Sequence, residues 1–348
     1  MKITKLFLAT LICAYCSGAN AKNIVVIGTG GTIGGVGDSA VGIKYSAAKV
    51  GIDKVIKNIP GIDKIANVQV EQLMQVGSEN MTDKTWLTIA EKVNKELSKR
   101  SVDGVIIAHG TDTIEETAYF LNLTVKSKKP VVIVGSMRPS TSLSGDGALN
   151  LYNAISVAAS DSAYDKGVLV MLNDEIHAAR DVSKTNTTNT SAFKSLNSGA
   201  IGSVIYGDVR FYYSPLRTHT DKTIFHVKKL DTLPKVEIIY AYAGFDPAIV
   251  DFLIESDVKG IVVAGVGDGN INRDTVKKLA DAAKKGIVVV RSAHLGAGIV
   301  EQDIEINDSE LGFVVADNLN PKKARILTML ALTKTDDIKK MREMFKTY

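Results

Sequence analysis

Short, uninterrupted apolar runs recur along the chain, each followed by a glycine-rich or polar turn. The first is Asn23-Ile24-Val25-Val26-Ile27-Gly28. Others cover residues 104–108, 130–135, 167–172, 236–240, 260–264 and 286–290. They are short and rich in β-branched residues, which predicts strands buried on both faces, as in a parallel sheet. Helical periodicity fills the gaps at Asp83 to Leu97, Ile114 to Leu123 and Asp274 to Lys284, and again from Pro321 onward. Such alternation predicts an α/β fold that binds ligands at the carboxyl ends of its strands. Between Phe211 and Pro234 the pattern lapses into a polar stretch containing Pro215 and several threonines and lysines. The expected organisation is therefore a larger N-terminal domain (22–211), a linker (212–233) and a smaller C-terminal α/β domain (234–348). The larger domain is expected to be a mostly parallel sheet flanked by helices. No internal repeat is evident.

The first residues have a different character. A basic start (Met1, Lys2, Lys5) leads into the apolar run Leu6 to Ala14, and Ala19-Asn20-Ala21 has the small-residue pattern of a cleavage site. The run is shorter than the ~20 residues a membrane-spanning helix needs. Residues 1–21 therefore read as a signal peptide removed after Ala21, and the expected location is periplasmic. A lipid anchor at Cys16 is the poorer reading, because Cys13 and Tyr15 are unusual neighbours for a lipid-acceptor cysteine.

Removing that segment changes two counts. Cys13 and Cys16 are the chain's two cysteines, so the mature protein would hold together without disulfides. Losing Lys2 and Lys5 leaves 40 basic residues against 38 acidic ones. So small a balance argues against a nucleic-acid or membrane partner. A hydrophobic content of 45% and a charged content of 23% are those of an ordinary globular protein.

Three turns carry candidate chemistry, each directly after a buried run. Gly28-Thr29-Gly30-Gly31-Thr32-Ile33-Gly34-Gly35 sets two hydroxyls among glycines. It does not fit the G-x-G-x-x-G dinucleotide fingerprint in either frame, since Ile33 or Thr32 falls where glycine is required. Simple turn capping by Thr29 and Thr32 is the bland alternative. The second turn is His109-Gly110-Thr111-Asp112-Thr113-Ile114-Glu115-Glu116-Thr117. Thr113 and Glu116 have capping-box spacing, which explains them as helix starters. Thr111 and Asp112 lie ahead of that cap, where Asp112 can take an ammonium and Thr111 can face a carbonyl or carboxylate. The third is Asn173-Asp174 through Arg180-Asp181-Val182-Ser183-Lys184-Thr185-Asn186-Thr187. A lysine there is either solvated surface or, if buried, an activating group for a threonine. To act as a base near neutrality it would have to titrate well below its reference value of ~10.4. The five histidines lack metal-ligand spacing, and no G-x-S-x-G elbow is present.

With Gly135-Ser136-Met137-Arg138-Pro139 and Gly265-Val266-Gly267-Asp268-Gly269-Asn270, these segments resemble, in order, the bacterial type II L-asparaginases of the asparaginase/glutaminase family. The resemblance covers essentially all of the chain after residue 21. It implies hydrolysis of L-asparagine to L-aspartate and ammonia through a threonine-linked acyl-enzyme, with no cofactor and no metal. It matches Thr32 to the nucleophile of a flexible loop and Tyr45 to that loop's tyrosine. Thr111, Asp112 and Lys184 match a second threonine with its Asp–Lys partners. Ser78 and Asp112 match groups that hold the substrate's α-carboxylate and α-amino groups. Gly31, Glu79, Thr111 and Ser136 fall at further substrate-site positions. Asn270 and Glu305 match residues supplied by a neighbouring subunit, and the family implies a homotetramer with shared sites. Two departures stand out. Lys99 and Ser127 occupy positions near a disulfide that many members carry, and Ser136 replaces a common alanine.

The motifs alone leave open which threonine attacks first. Thr32 is favoured, because a loop can close over substrate and exclude water. They do not separate an asparaginase from a broader glutaminase-asparaginase, since one methylene discriminates by only ~1–3 kcal/mol. From a different class, a non-enzymatic periplasmic amino-acid-binding protein would share the leader and the fold. It would leave the hydroxyl-rich turns and Lys184 unexplained.

Overall fold

The computed structural model describes residues 21–42, 44–228 and 230–348. The proposed leader segment lies outside them, apart from Ala21. The fold is α/β, with a large mixed sheet and a smaller parallel one. In spatial order the eight strands of the large sheet are Asp208–Phe211, Gly202–Ile205, Glu175–Ala178, Val168–Leu172, Val131–Val134, Gly104–Ala108, Lys22–Gly30 and Ala66–Val76. The last five are parallel to one another, and the first three are joined antiparallel. The small sheet runs Val236–Tyr240, Gly260–Gly265, Val288–Ala293, Val314–Val315, all parallel.

The apolar runs exist because successive side chains on a strand point to opposite faces. Val25 and Ile27 enter one core, Ile24 and Val26 the other, and all four are buried. The same split divides Val105 and Ile107 from Ile106 and Ala108. The first of these cores does not stop at the large sheet. It continues through Ile114–Thr124 and Pro321–Leu332 to Val236, Val262, Val288 and Val290 of the small sheet. The outer face of the small sheet has its own core, around Val250, Ile261, Val263 and Leu279.

The polar segment after Phe211 is anchored along its length. It turns through a short 3-10 helix at Thr220–Lys222 and buries Phe225, Val227 and Leu233. Lys126 holds that turn by donating to the Thr220 and Thr223 carbonyls and to Thr223 Oγ1. Where Lys99 and Ser127 stand, Lys129 Nζ ties the two segments instead, donating to the carbonyls of Leu97 and Lys99. Among the described residues, no helix is long and apolar enough to cross a membrane, and no group of three or more His, Cys, Asp or Glu could hold a metal ion.

One topological detail places the site. The first strand, Lys22–Gly30, lies between the next two strands of the large sheet in sequence, Ala66–Val76 on one side and Gly104–Ala108 on the other. The connection from the first strand goes to Ala66–Val76 on one side and that from Gly104–Ala108 goes to Val131–Val134 on the other, which places a crevice at the carboxyl ends of these strands.

Candidate active site

Three strand ends meet at that crevice. Gly31-Thr32 follows the first strand, Ser78 follows Ala66–Val76, and His109 to Thr113 follows Gly104–Ala108. Glycine is required where they touch. Gly31 has a φ of +86°, and a Cβ on it would sit 2.4 Å from Gly110 Cα. A Cβ on Gly110 would in turn meet Ser78 Oγ at 2.6 Å. The two hydroxyl-bearing turns are therefore in main-chain contact.

The hydroxyls within the first turn divide their work. Thr29 Oγ1 donates to the Ala108 carbonyl at 2.9 Å and pins neighbouring strands together. Thr32 starts a 3-10 turn, is 7% exposed, and lies 3.0 Å from Tyr45 Oη. Tyr45 belongs to a small hairpin in which Val36–Gly37 pairs antiparallel with Tyr45–Ser46. The hairpin is tied back by Ala48 N–H to Gly31 O and by Lys49 and Val50 N–H to Gly34 O.

A second cluster belongs to the turn on the other side of the Gly31–Gly110 contact. Lys184 Nζ donates to Thr111 Oγ1 at 2.9 Å and to Asp112 Oδ1 at 2.7 Å. Thr111 is 6% exposed and the Lys184 side chain 15%, whereas the Asp112 side chain is 60% exposed. Lys184 is thus not a solvated surface lysine. Ser78 is buried, and its Oγ accepts the Asp112 N–H at 3.2 Å.

Thr113 corrects a sequence expectation. It precedes the helix Ile114–Thr124 as predicted, but its hydroxyl makes no capping bond, so the Thr113–Glu116 capping box does not form. Thr113 Oγ1 donates instead to the Ser78 carbonyl at 2.9 Å. A long-range contact at the site has displaced the local one. Two main-chain donors are likewise engaged within the fold: Gly31 N–H by Val76 O and Asp112 N–H by Ser78 Oγ.

The remaining expected residues are placed as follows. Glu79 is exposed beside Ser78 and accepts from Asn80 Nδ2. Ser136 is fully buried and its hydroxyl donates to Arg138 O, so its side chain is engaged within the fold. Asn270 and Glu305 lie on turns of the small sheet's domain. Neither hydrogen-bonds to the Thr32 or Thr111 groups among the described residues.

A buried chain of hydrogen bonds behind Thr111 is not evident in the sequence pattern. Trp86 Nε1 donates to Thr117 Oγ1 (3.0 Å), Thr117 lies 2.9 Å from His109 Nε2, and His109 Nδ1 lies 2.7 Å from Gly110 O. Only one assignment satisfies all three: Nδ1 carries the proton, and Thr117 donates to Nε2. Burial lowers the His109 pKa to about 4, against a smaller opposing effect of the Gly110 carbonyl. His109 is therefore a neutral support for the turn. The unfolded chain takes up a proton near 6.5 that the folded one refuses until about 4, so stability is complete above 6.5 and falls as pH drops through that window. The loss from this one group approaches ~3 kcal/mol. Melting temperatures at neutral pH and near pH 4 should converge in His109→Gln relative to the parent. An identical pH slope in both proteins would refute the assignment.

Comparison with known proteins settles the lineage. Residues 23–217 match the family model "Asparaginase, N-terminal", and residues 235–345 match "Glutaminase/Asparaginase C-terminal domain". The chain belongs to the asparaginase family. It is an amidohydrolase, and the binding-protein and dinucleotide readings are set aside. L-asparaginase 2 of Escherichia coli (strain K12) is 47% identical over 345 residues, covering 99% of each chain. The probable periplasmic L-asparaginase of Haemophilus influenzae is 47% identical over the full length of both. The glutaminase-asparaginase of Pseudomonas fluorescens biotype A is 46% identical over 94% of this chain and 90% of its own. Among solved structures, a probable cytoplasmic L-asparaginase from Campylobacter jejuni superposes with a TM-score of 0.91 at 46% identity, covering 94% of this chain and all of that one.

Proposed function

We propose that this asparaginase-family enzyme hydrolyses L-asparagine to L-aspartate and ammonia through an ester on Thr32. The observation that carries this reading is the paired arrangement at one crevice: Thr32 against Tyr45, and Thr111 against Lys184 and Asp112. An isolated hydroxyl is a poor nucleophile and needs a neighbour to take its proton. Thr32 Oγ1 bonds to the side-chain carbonyl carbon while its proton passes through Tyr45 Oη to the amide nitrogen. The C–N bond then breaks and ammonia leaves. Water adds to the ester carbonyl, with Thr111 and Lys184 conducting the proton back to the Thr32 oxygen as aspartate departs. Lys184 occupies one oxygen of Asp112 and leaves the other for the substrate's α-ammonium. Ser78 Oγ accepts from Asp112 N–H, so its own proton is free to donate to the α-carboxylate.

A second reading, a glutaminase-asparaginase of broad specificity, is favoured by the Pseudomonas fluorescens relative. Both are tested by measuring kcat/KM on asparagine and glutamine without added metal, with mass spectrometry of the quenched enzyme. The expected result is ammonia release from asparagine, a lower rate on glutamine, and an acyl adduct on the Thr32 peptide. Recovery of both amides intact would exclude hydrolysis.

Two further elements belong to this reading. The basic and apolar start of the chain and the Haemophilus influenzae relative's name support export to the periplasm, although the Campylobacter jejuni protein's name says cytoplasmic. Sites completed across a homotetramer interface by Asn270 and Glu305 agree with the absence of bonds from these residues to Thr32 or Thr111 within one chain. The exported enzyme should start at Lys22 by intact mass and sediment as four copies. A monomer with full activity would exclude shared sites.

A further inference from the structure

Lys184 reaches Thr111 from a distant part of the sheet. Thr111 follows Gly104–Ala108, whereas Lys184 follows Glu175–Ala178, three strand positions away. At about 4.8 Å per step that is roughly 14 Å, well beyond a lysine side chain. Glu175–Ala178 runs antiparallel and ends beside Leu169, away from the carboxyl ends of the parallel strands, so the segment from Ala179 to Lys184 must come back over the face of the sheet, where Ala179 and Val182 are buried in the shared core, and be held there.

What holds it comes from the start of the helix Pro321–Leu332. Asn320 Oδ1 caps that helix by accepting from Lys323 N–H, and this fixes which way its amide points. Asn320 Nδ2 then donates both protons, one to Glu115 Oε2 at 2.9 Å and one to Ser183 Oγ at 3.1 Å. Glu115 lies in the first turn of the helix after Thr111-Asp112-Thr113, and Ser183 immediately precedes Lys184. One side chain thus joins the two turns whose hydroxyl and ammonium meet. Its neighbours reinforce it. Lys323, fully buried, donates through Nζ to the carbonyls of Arg180 and Val182, and Lys322 pairs with Glu115. Burial opposes ionisation of Glu115, but Lys323, Lys322 and Asn320 together outweigh it and hold the carboxyl below its ordinary range. The seam beside these residues encloses about 30 Å³, room for a water and not for a substrate. The cluster is therefore a support and not a second binding site.

We propose that Asn320 is a positioning residue that sets Lys184 against Thr111, so that the C-terminal domain governs proton transfer in the N-terminal one. This rests on the reading that Thr111 and Lys184 take part in the chemistry. Asn320→Ser is the informative variant, because serine keeps the helix cap and removes the amide donor. It is expected to lower kcat on asparagine ~10- to 100-fold with little change in KM, as misplaced groups do. The melting temperature should stay within a few degrees of the parent's. In a Lys184→Met background the same substitution should have no further effect on the residual rate. An independent readout is the rate at which an amine-reactive reagent labels Lys184, followed by peptide mapping across pH. This rate should rise several-fold in Asn320→Ser. Unchanged labelling and unchanged kcat overturn the proposal. Faster labelling with unchanged kcat leaves Asn320 as the support of Lys184 but removes Lys184 from the chemistry, which overturns the catalytic reading and the proposed control of proton transfer with it.

Discussion

Thr32→Ala is expected to lower kcat for asparagine at least about 1,000-fold, with KM within a few-fold of the parent's. The substitution removes the attacking oxygen and leaves Ser78, Asp112 and Lys184 in place to bind substrate. The fold should tolerate it. Thr29, and not Thr32, makes the hydroxyl bond that fastens the first strand to Gly104–Ala108, so thermal melting should move little. Thr32→Ser keeps the oxygen beside Tyr45 and should retain measurable turnover. Full activity in Thr32→Ala would exclude Thr32 as nucleophile. An inactive Thr32→Ala enzyme that accumulates an ester on Thr111 would reverse the order of the two threonines.

Lys184→Met should cost kcat ~100- to 10,000-fold, the range for losing a positioned proton-transfer group. Methionine matches the length of the stem, so packing against the small strand pair Ser183–Lys184 and Phe193–Lys194 is preserved. Asp112 loses its partner, but its exposed side chain is free to take water instead. Lys184→Arg should not restore the rate, because a guanidinium stays charged and cannot place a single donor between Thr111 Oγ1 and Asp112 Oδ1. Parent-like kcat in Lys184→Arg across the pH range would reduce the lysine to a source of positive charge.

Strands buried on both faces were the most legible part of the fold. Gly104–Ala108 and Val236–Tyr240 fall where their apolar runs lie, as does the helix Asp83–Leu97. Ala66–Val76 went unread. It is an edge strand whose Asn67, Gln69, Glu71 and Gln75 face water, so it lacks the apolar signal of a buried one. The antiparallel additions Glu175–Ala178 and Gly202–Phe211 are similarly short and mixed. At the site, the hydroxyl-rich turns could be found because glycine and threonine are concentrated there. Thr113 misled because capping-box spacing is a local rule, and Ser78, the residue that takes its hydroxyl, is 35 positions away. The Trp86–Thr117–His109 chain had no local pattern, and Asn320 had only that of a helix cap ahead of Pro321. Their roles come from neighbours brought together only by packing.

The apolar interior shared by both sheets limits how this enzyme can be divided. A fragment ending near residue 217 would carry Thr32, Thr111 and Lys184 yet leave the face of Ile114–Thr124 that meets Pro321–Leu332 bare to solvent. Such a half would be sticky and misfolded even though it contains the reactive groups. Chimeras between family members should therefore survive only when both surfaces of this seam come from the same parent.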